Sequence, residues 1–251
     1  MSQINLNSVG VVVLAAGKGT RLNCVDRPKV MLEIGGKPIV SYIVNTLEKI
    51  GFNKEQIILV VGFKKEIVED YFGDKVTFVE QTELLGTAHA AFTGIKKLPE
   101  NIENVLVLAG DDSAFYTAET LEKFISNHIF GENKLSLLTA KVENPFQLGR
   151  IVRHENGDVE IVEKEYLTEK QENINEISTG TFCFDRYWYE NMFPTMPKLR
   201  KLGEYGLPTA LAMVRNVKEK YSIIILDNPQ EWFGINTLEQ LEQAKDKISK
   251  V

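Results

Sequence analysis

A chain of 251 residues with 43% hydrophobic and 25% charged residues can bury a sizeable core and has an average globular composition. Its net charge of −6 argues against broad nucleic-acid binding, which uses a basic face, but leaves room for a small anionic substrate if cations cluster locally. No apolar run approaches the roughly 18 residues of a membrane span, and the N-terminal MSQINLNS has no basic stretch leading to an apolar core. A cytoplasmic protein with no membrane partner is expected.

In chain order, strand-like apolar runs fall at Val9–Leu14, Gln56–Val61, Val76–Val79 and Val105–Leu108. Helical patterns lie between them at Val40–Ile50, Lys64–Tyr71 and Thr87–Ile95. This alternation is the signature of βαβ units and a parallel sheet. A helix over Thr117–Ile129 and a strand around Lys134–Ala140 follow. From Gly149 to Asp185 the texture changes to the shorter runs RIVR, DVEIVEK and STGTFCFD, with a hairpin turn at Gly157-Asp158. Tyr166–Asn175 is polar and acidic and reads as an exposed loop or short helix. Helix Pro208–Val217, strand Tyr221–Leu226 and helix Leu238–Ile248 complete the chain. The expected architecture is α/β, a Rossmann-like mixed and mostly parallel sheet flanked by helices, with a small inserted antiparallel portion.

The chemistry concentrates at the end of the first strand, where Leu14-Ala15-Ala16-Gly17-Lys18-Gly19-Thr20-Arg21-Leu22 is followed by Pro28-Lys29. Small residues let backbone N–H groups approach a phosphate, and Lys18, Arg21 and Lys29 offset its charge. The plainer reading is an ordinary strand-to-helix turn with surface cations. The glycine spacing is too short for a Walker loop, and Leu22 stands where a dinucleotide fingerprint needs its third glycine. Cys24 lies nearby, but neither it nor Cys183 belongs to a zinc or redox motif.

The segment LAAGKGTRL followed by PKVML resembles the signature of sugar-nucleotide pyrophosphorylases, nucleotidyltransferases of the glycosyltransferase-A-like fold. The similarity is greatest to the uridylyltransferase domain of N-acetylglucosamine-1-phosphate uridylyltransferases. It covers most of residues 9–240 and does not include their hexapeptide-repeat acetyltransferase domain. It implies a single nucleotidyltransferase domain, with residues 1–140 mainly holding nucleotide, 141–235 mainly sugar, and 236–251 a C-terminal helix. It also implies UTP and a sugar 1-phosphate as substrates, with Mg2+ as cofactor.

By this resemblance, residues 14–20 (Leu14, Ala15, Ala16, Gly17, Lys18, Gly19 and Thr20) hold the triphosphate, with Arg21 and Lys29 as catalytic cations. Gln81-Thr82-Glu83-Leu84-Leu85-Gly86-Thr87-Ala88-His89-Ala90 resembles the base-contact segment, in which Gln81, Gly86 and Thr87 touch the base. A side-chain amide offers both a donor and an acceptor to a base edge. The alternative there is a helix start with Thr87 as N-cap, and His89 reads as a packed residue. Asp111, after Val105–Gly110, matches the family's metal-binding aspartate, and Asn236 its later partner. Magnesium suits such a pair because it takes few protein oxygens and completes its shell with phosphate and water. Asp112 departs from the family pattern and reads as an alternative ligand, a supporting acid or a solvated charge.

Gly149, Glu163, Ser178 and Thr179 resemble the sugar-contact residues, with the carboxylate of Glu163 accepting from hydroxyls. Three departures concern this side: Ser178 replaces a common Asn, Gly206 replaces an aromatic, and Ala109 replaces an aromatic. The shortened residues at 178 and 206 are expected to open the sugar pocket. Competing readings are a catalytically inactive nucleotide-sugar-binding module, a pyrophosphorylase using dTTP, CTP or GTP with a hexose 1-phosphate, and a glycosyltransferase consuming an NDP-sugar. The last lacks its Asp-X-Asp, because Asp111 and Asp112 are adjacent.

Overall fold

The computed structural model describes residues 4–19, 22, 24–145, 147–155, 157–199 and 203–249. Strand β1 (Val9–Leu14) is apolar or Gly throughout and buried along nearly its whole length. It is followed by a short hairpin, β2 (Glu33–Ile34) and β3 (Lys37–Pro38), and then by helix α1 (Ile39–Ile50). The buried positions Ile39, Val40, Ile43, Val44 and Leu47 of α1 repeat at the helical spacing. Burying each such side chain contributes roughly 1.5–3 kcal/mol.

The order continues with β4 (Ile57–Val61), α2 (Lys65–Phe72), β5 (Thr77–Glu80), α3 (Thr87–Ile95), β6 (Asn104–Ala109), α4 (Ala118–Phe130) and β7 (Leu135–Lys141). Thr117 caps α4, its hydroxyl accepting from the Thr120 N–H at 3.2 Å. Then come β8 (Arg150–Arg153), β9 (Val159–Val162), the single-turn α5 (Glu169–Glu172), β10 (Glu176–Asp185), α6 (Arg186–Met192), α7 (Pro208–Asn216), β11 (Tyr221–Ile225) and α8 (Leu238–Ile248).

The described residues form a nine-stranded mixed sheet in which the order β11-β7-β10-β6-β1-β4-β5 makes the main path. Strands β5, β4, β1 and β6 run parallel, as do β7 and β11. Strand β10 is antiparallel to β6 and β7, and the β8–β9 hairpin attaches to it through Arg150 opposite Ile177. The chain leaves β1 toward β4 and β5, then returns to β6 on the other side of β1. That reversal opens a crevice between the carboxyl ends of β1 and β6, where α/β sheets bind ligands.

Alternation along the strands sends Val11 and Val13 to one face with α1, α2 and α4, and Val12 to the other with α3, α6 and α7. A third apolar cluster gathers Leu22, Ile34, Ile39, Ala114, Ile235, Leu241 and Ala244 under α8. No helix among the described residues is long and apolar enough to cross a membrane.

Several sequence expectations are corrected. STGTFCFD does not lie in the inserted antiparallel portion. It forms most of β10, in the middle of the main sheet, with Phe182, Cys183 and Phe184 paired to both β6 and β7. Phe and Cys are equally at home in a central strand buried on both faces, so alternation alone did not reveal it. The stretch Tyr166–Asn175 does hold a short helix, the one-turn α5, which follows a 3-10 turn at Lys164–Tyr166. The β2–β3 hairpin and α6 carried too little periodicity to be read.

His128, fully buried on α4, shares a 2.8 Å hydrogen bond between its Nδ1 and Ser136 Oγ. Burial, above all, pushes its pKa down to about 4. The folded state therefore stays unprotonated while the unfolded chain gains a proton below about 6.5, so stability falls as pH drops from about 6.5 to 4. Chemical denaturation across that window is expected to show a loss of roughly 3 kcal/mol from this residue, absent from the pH slope of His128→Gln.

Candidate active site

The loop after β1 continues from the sheet edge, with the Ala15 N–H donating to Val60 O at 2.8 Å and the Gly110 N–H to Leu14 O at 3.0 Å. Ala15 and Ala16 are buried, whereas Gly17 and Lys18 are exposed. Gly19 has φ +67, and a Cβ there would stand 2.7 Å from Lys29 Cβ, so a side chain would meet both backbone strain and the neighbouring lysine. Among the described residues no α-helix follows the loop directly, in contrast to the strand-to-helix alternative, and Leu22 lies in a 3-10 turn. A 3-10 turn at Lys29–Met31 and the β2–β3 hairpin intervene before α1. Thr20 and Arg21, two of the predicted site residues, lie outside the described residues.

Lys29 sits on that 3-10 turn, anchored by the buried Val30 and Met31. Its ammonium donates to Asp111 Oδ2 and, at 3.0 Å, to Asn236 Oδ1. Asp111 stands just past the end of β6. Asn236 immediately precedes α8, whose start is fixed by a capping box between Thr237 and Gln240. Gln240 Oε1 also accepts from the Asn236 N–H at 2.7 Å, which sets the direction of that residue. Three distant segments thus converge on a single positive charge, with the Lys29 side chain only 11% exposed and Asp111 24%.

Among the described residues there is no group of three or more His, Cys, Asp or Glu that could hold a metal. The donor set nevertheless fits magnesium, which needs one or two hard protein oxygens beside phosphate and water. One carboxylate oxygen and one amide oxygen already share a stand-in cation, the Lys29 ammonium.

The predicted base-contact residues gather around the start of α3. Gly86, not Thr87, is the N-cap, with φ +99. A Cβ on Gly86 would lie 2.6 Å from Tyr205 O. The two strips are stitched together: Tyr205 N–H donates to Leu85 O at 2.7 Å, Ala88 N–H to Tyr205 O at 2.8 Å, and Leu207 N–H to Thr87 Oγ1 at 3.1 Å. Gln81, directly after β5, is buried and donates to Gly86 O at 3.1 Å.

On the predicted sugar side, Gly149 and Glu163 meet where β8 begins and β9 ends. A Cβ on Gly149 would lie 3.4 Å from Glu163 Oε2. Burial first, and then the nearby Glu165, holds the Glu163 carboxyl above the usual carboxylate range. Ser178 and Thr179 occupy a register shift in β10 between Ser178 and Phe182. The Thr179 hydroxyl donates to Leu138 O at 2.7 Å and is buried, so it holds the shifted strand in place. Gly206 does not open the pocket as its small size implies. It is buried, and a Cβ there would meet Leu199 Cδ1 at 2.8 Å, so the leucine fills that direction.

A family profile described as nucleotidyl transferase matches residues 10–251. The chain belongs to the nucleotidyl transferase family. It is 37% identical over 247 residues to the bifunctional protein GlmU of Bacillus licheniformis, covering 95% of this chain and 53% of that protein. To the bifunctional protein GlmU of Streptococcus uberis it is 35% identical over 240 residues, covering 95% and 52%. The chain therefore spans about half the length of these curated relatives. A Bacillus anthracis protein described as a candidate glucose-1-phosphate thymidylyltransferase, in complex with a sucrose, shares the fold at a TM-score of 0.78 and 17% identity, covering 97% of this chain and 96% of that one. A UDP-glucose pyrophosphorylase complexed with UDP-glucose does so at 0.75 and 22%, covering 96% and 98%.

Against this nucleotidyl transferase frame, two residues stand out that sequence reasoning did not connect to the site. Trp232 Nε1 donates to Thr179 O at 3.2 Å, joining the segment that carries Asn236 to the shifted part of β10. Tyr116 OH and Thr181 Oγ1 lie 3.1 Å apart beside it, and burial pushes the Tyr116 phenol pKa up despite its hydrogen bonds with Thr179 and Thr181. Nothing local in a Trp or Tyr codon-by-codon pattern distinguishes such bridging from ordinary core packing. Gly86 offers the sharpest test of the stitched strips. Gly86→Ala combines positive φ with a backbone clash and is expected to destabilise by about 1–3 kcal/mol, measured as a lower denaturant midpoint at unchanged m-value.

Proposed function

We propose that this chain joins an NTP to a sugar 1-phosphate, giving an NDP-sugar and pyrophosphate, with UTP as nucleotide and N-acetylglucosamine 1-phosphate as the first sugar candidate. The observation that carries the reading is the convergence of Lys29, Asp111 and Asn236 at the crevice between β1 and β6. The Gln81–Ala90 segment and the 37% identity to a GlmU protein favour the uridine and the amino sugar. Residues 1–251 act as one nucleotidyltransferase unit, in which 1–140 mainly serve nucleotide, 141–235 mainly sugar, and 236–251 are the C-terminal helix.

An oxygen of the sugar phosphate attacks the α-phosphorus of the NTP, the bond to the β-phosphate oxygen breaks, and pyrophosphate leaves in line. No protein nucleophile is needed. Positioning and charge stabilisation supply the rate. Backbone N–H groups of residues 14–20 cradle the triphosphate, and Lys18 and Arg21 balance its charge. Lys29 bridges the two phosphates being joined, which requires its ammonium to leave the Asp111–Asn236 pair. That pair would hold Mg2+, which when bound polarises the α-phosphate and neutralises its developing charge. Gln81, Gly86 and Thr87 meet the base. Glu163 accepts from sugar hydroxyls, Gly149 and Thr179 supply close backbone contacts, and Ser178 lines the sugar side.

Pyrophosphate release across UTP, dTTP, CTP and GTP, each against a panel of sugar 1-phosphates, tests the whole reading. The highest kcat/KM is expected with UTP and N-acetylglucosamine 1-phosphate, and absence of release from every pair would overturn the proposal. Replacing Lys29 by Met is expected to lower turnover by roughly a hundredfold or more. The same variant should bind Mn2+ more tightly than the parent in the nucleotide-free state, because the competing ammonium is gone. Near-normal turnover, or metal affinity unchanged by calorimetry, would contradict the role given to Lys29.

A further inference from the structure

The base segment contains a hydrogen-bond arrangement that constrains how Gln81 can meet a ligand. Its amide nitrogen donates to Gly86 O at 3.1 Å and lies 3.1 Å from His89 Nδ1. An amide nitrogen carries two hydrogens and no acceptor lone pair. His89 Nδ1 must therefore accept, which makes the ring neutral with its proton on Nε2. The opposite amide orientation would set Gln81 Oε1 against the Gly86 carbonyl, acceptor against acceptor, so the backbone of Gly86 fixes the side chain's sense. Both amide hydrogens are then used within the protein, and Oε1 is the polar atom of this side chain left without a partner among the described residues.

The ring of His89 is itself held. It sits in the first turn of α3, 6.2 Å centroid to centroid from Phe193, which stacks on Phe92 at 4.4 Å. Gly86 in turn is pressed against Tyr205, so neither partner of the Gln81 nitrogen is free to drift.

We infer that His89 is a positioning residue for nucleobase selection, locking Gln81 so that it offers its carbonyl oxygen, an acceptor, to the base. A base with a ring N–H at the reading position, the N3–H of uracil or thymine, satisfies that oxygen. The ring N3 of cytosine is itself an acceptor and meets it lone pair to lone pair. This replaces the expectation that the amide presents donor and acceptor together. It rests on the proposed contact between Gln81 and the base.

The test combines calorimetric binding of UTP and CTP, initial rates of pyrophosphate release, and nitrogen-15 NMR of the histidine rings. In the parent protein His89 is expected to show an unprotonated Nδ1; a protonated Nδ1 in the ligand-free state would overturn the inference. His89→Phe removes the acceptor and is expected to weaken UTP binding and narrow the UTP-over-CTP preference by about tenfold, the scale of one hydrogen bond, mainly through KM and with kcat little changed. His89→Asn keeps an acceptor oxygen and should recover part of the preference, which loss of packing alone would not predict. If Gln81→Ala abolishes the preference while His89→Phe preserves it, the positioning role fails and the base contact stands. If Gln81→Ala leaves the preference intact, the base contact itself is wrong and the inference falls with it.

Discussion

A lysine ammonium that is nearly buried must find oxygen partners, and Lys29 finds them on two segments far from it in sequence. That requirement links the loop after β1, the end of β6 and the start of α8. Asp111 is delivered by a strand whose apolar residues have no other place than the sheet centre. Asn236 is delivered by a helix start whose capping box leaves it little freedom. The third apolar cluster, with Ile235, Ile34 and Leu22 in it, supplies the burial that keeps the three in register. The site is thus a charge-satisfaction problem solved by packing around it.

The same logic joins the two halves of the crevice. The strip at Leu85–Ala88 hydrogen-bonds to Tyr205–Leu207, and Trp232 ties the approach to Asn236 to the shifted part of β10. A Cβ on Gly180 would stand 3.9 Å from Ala109 Cβ, so the irregular segment of β10 lies against the end of β6, next to Asp111. In the proposed reaction, base, phosphates and sugar are therefore presented by segments that share backbone hydrogen bonds rather than by independent loops. Transfer chemistry that relies on positioning benefits from such cross-linking, because a small error in geometry costs much rate.

Strands β1, β4 and β6 were legible because a strand buried on both faces in a parallel sheet is almost uniformly apolar. Helices α3 and α8 were legible to the residue, and α1 and α4 to within one, through their 3.6-residue spacing. Strand β10 was visible as a strand but misplaced, since Phe182, Cys183 and Phe184 suit a satellite hairpin and a central strand equally well. Gly206 shows the limit of reasoning from residue size. A missing side chain opens space only if nothing else fills it, and the Leu199 side chain does so.

The sequence by itself marked the glycine-rich cationic loop from its residue types, because small residues and nearby cations suit a phosphate, and marked Asp111 and the Gln81–Ala90 segment through their resemblance to a family's motifs. Their relationship was not local. That Lys29 lies between Asp111 and Asn236, that Gly86 closes on Tyr205, and that His89 occupies one hydrogen of Gln81 are consequences of long-range burial and of each polar group's need for a partner. Such pairings depend on which segments the sheet order brings side by side, and a one-dimensional pattern carries the demand for a partner without naming which distant residue meets it.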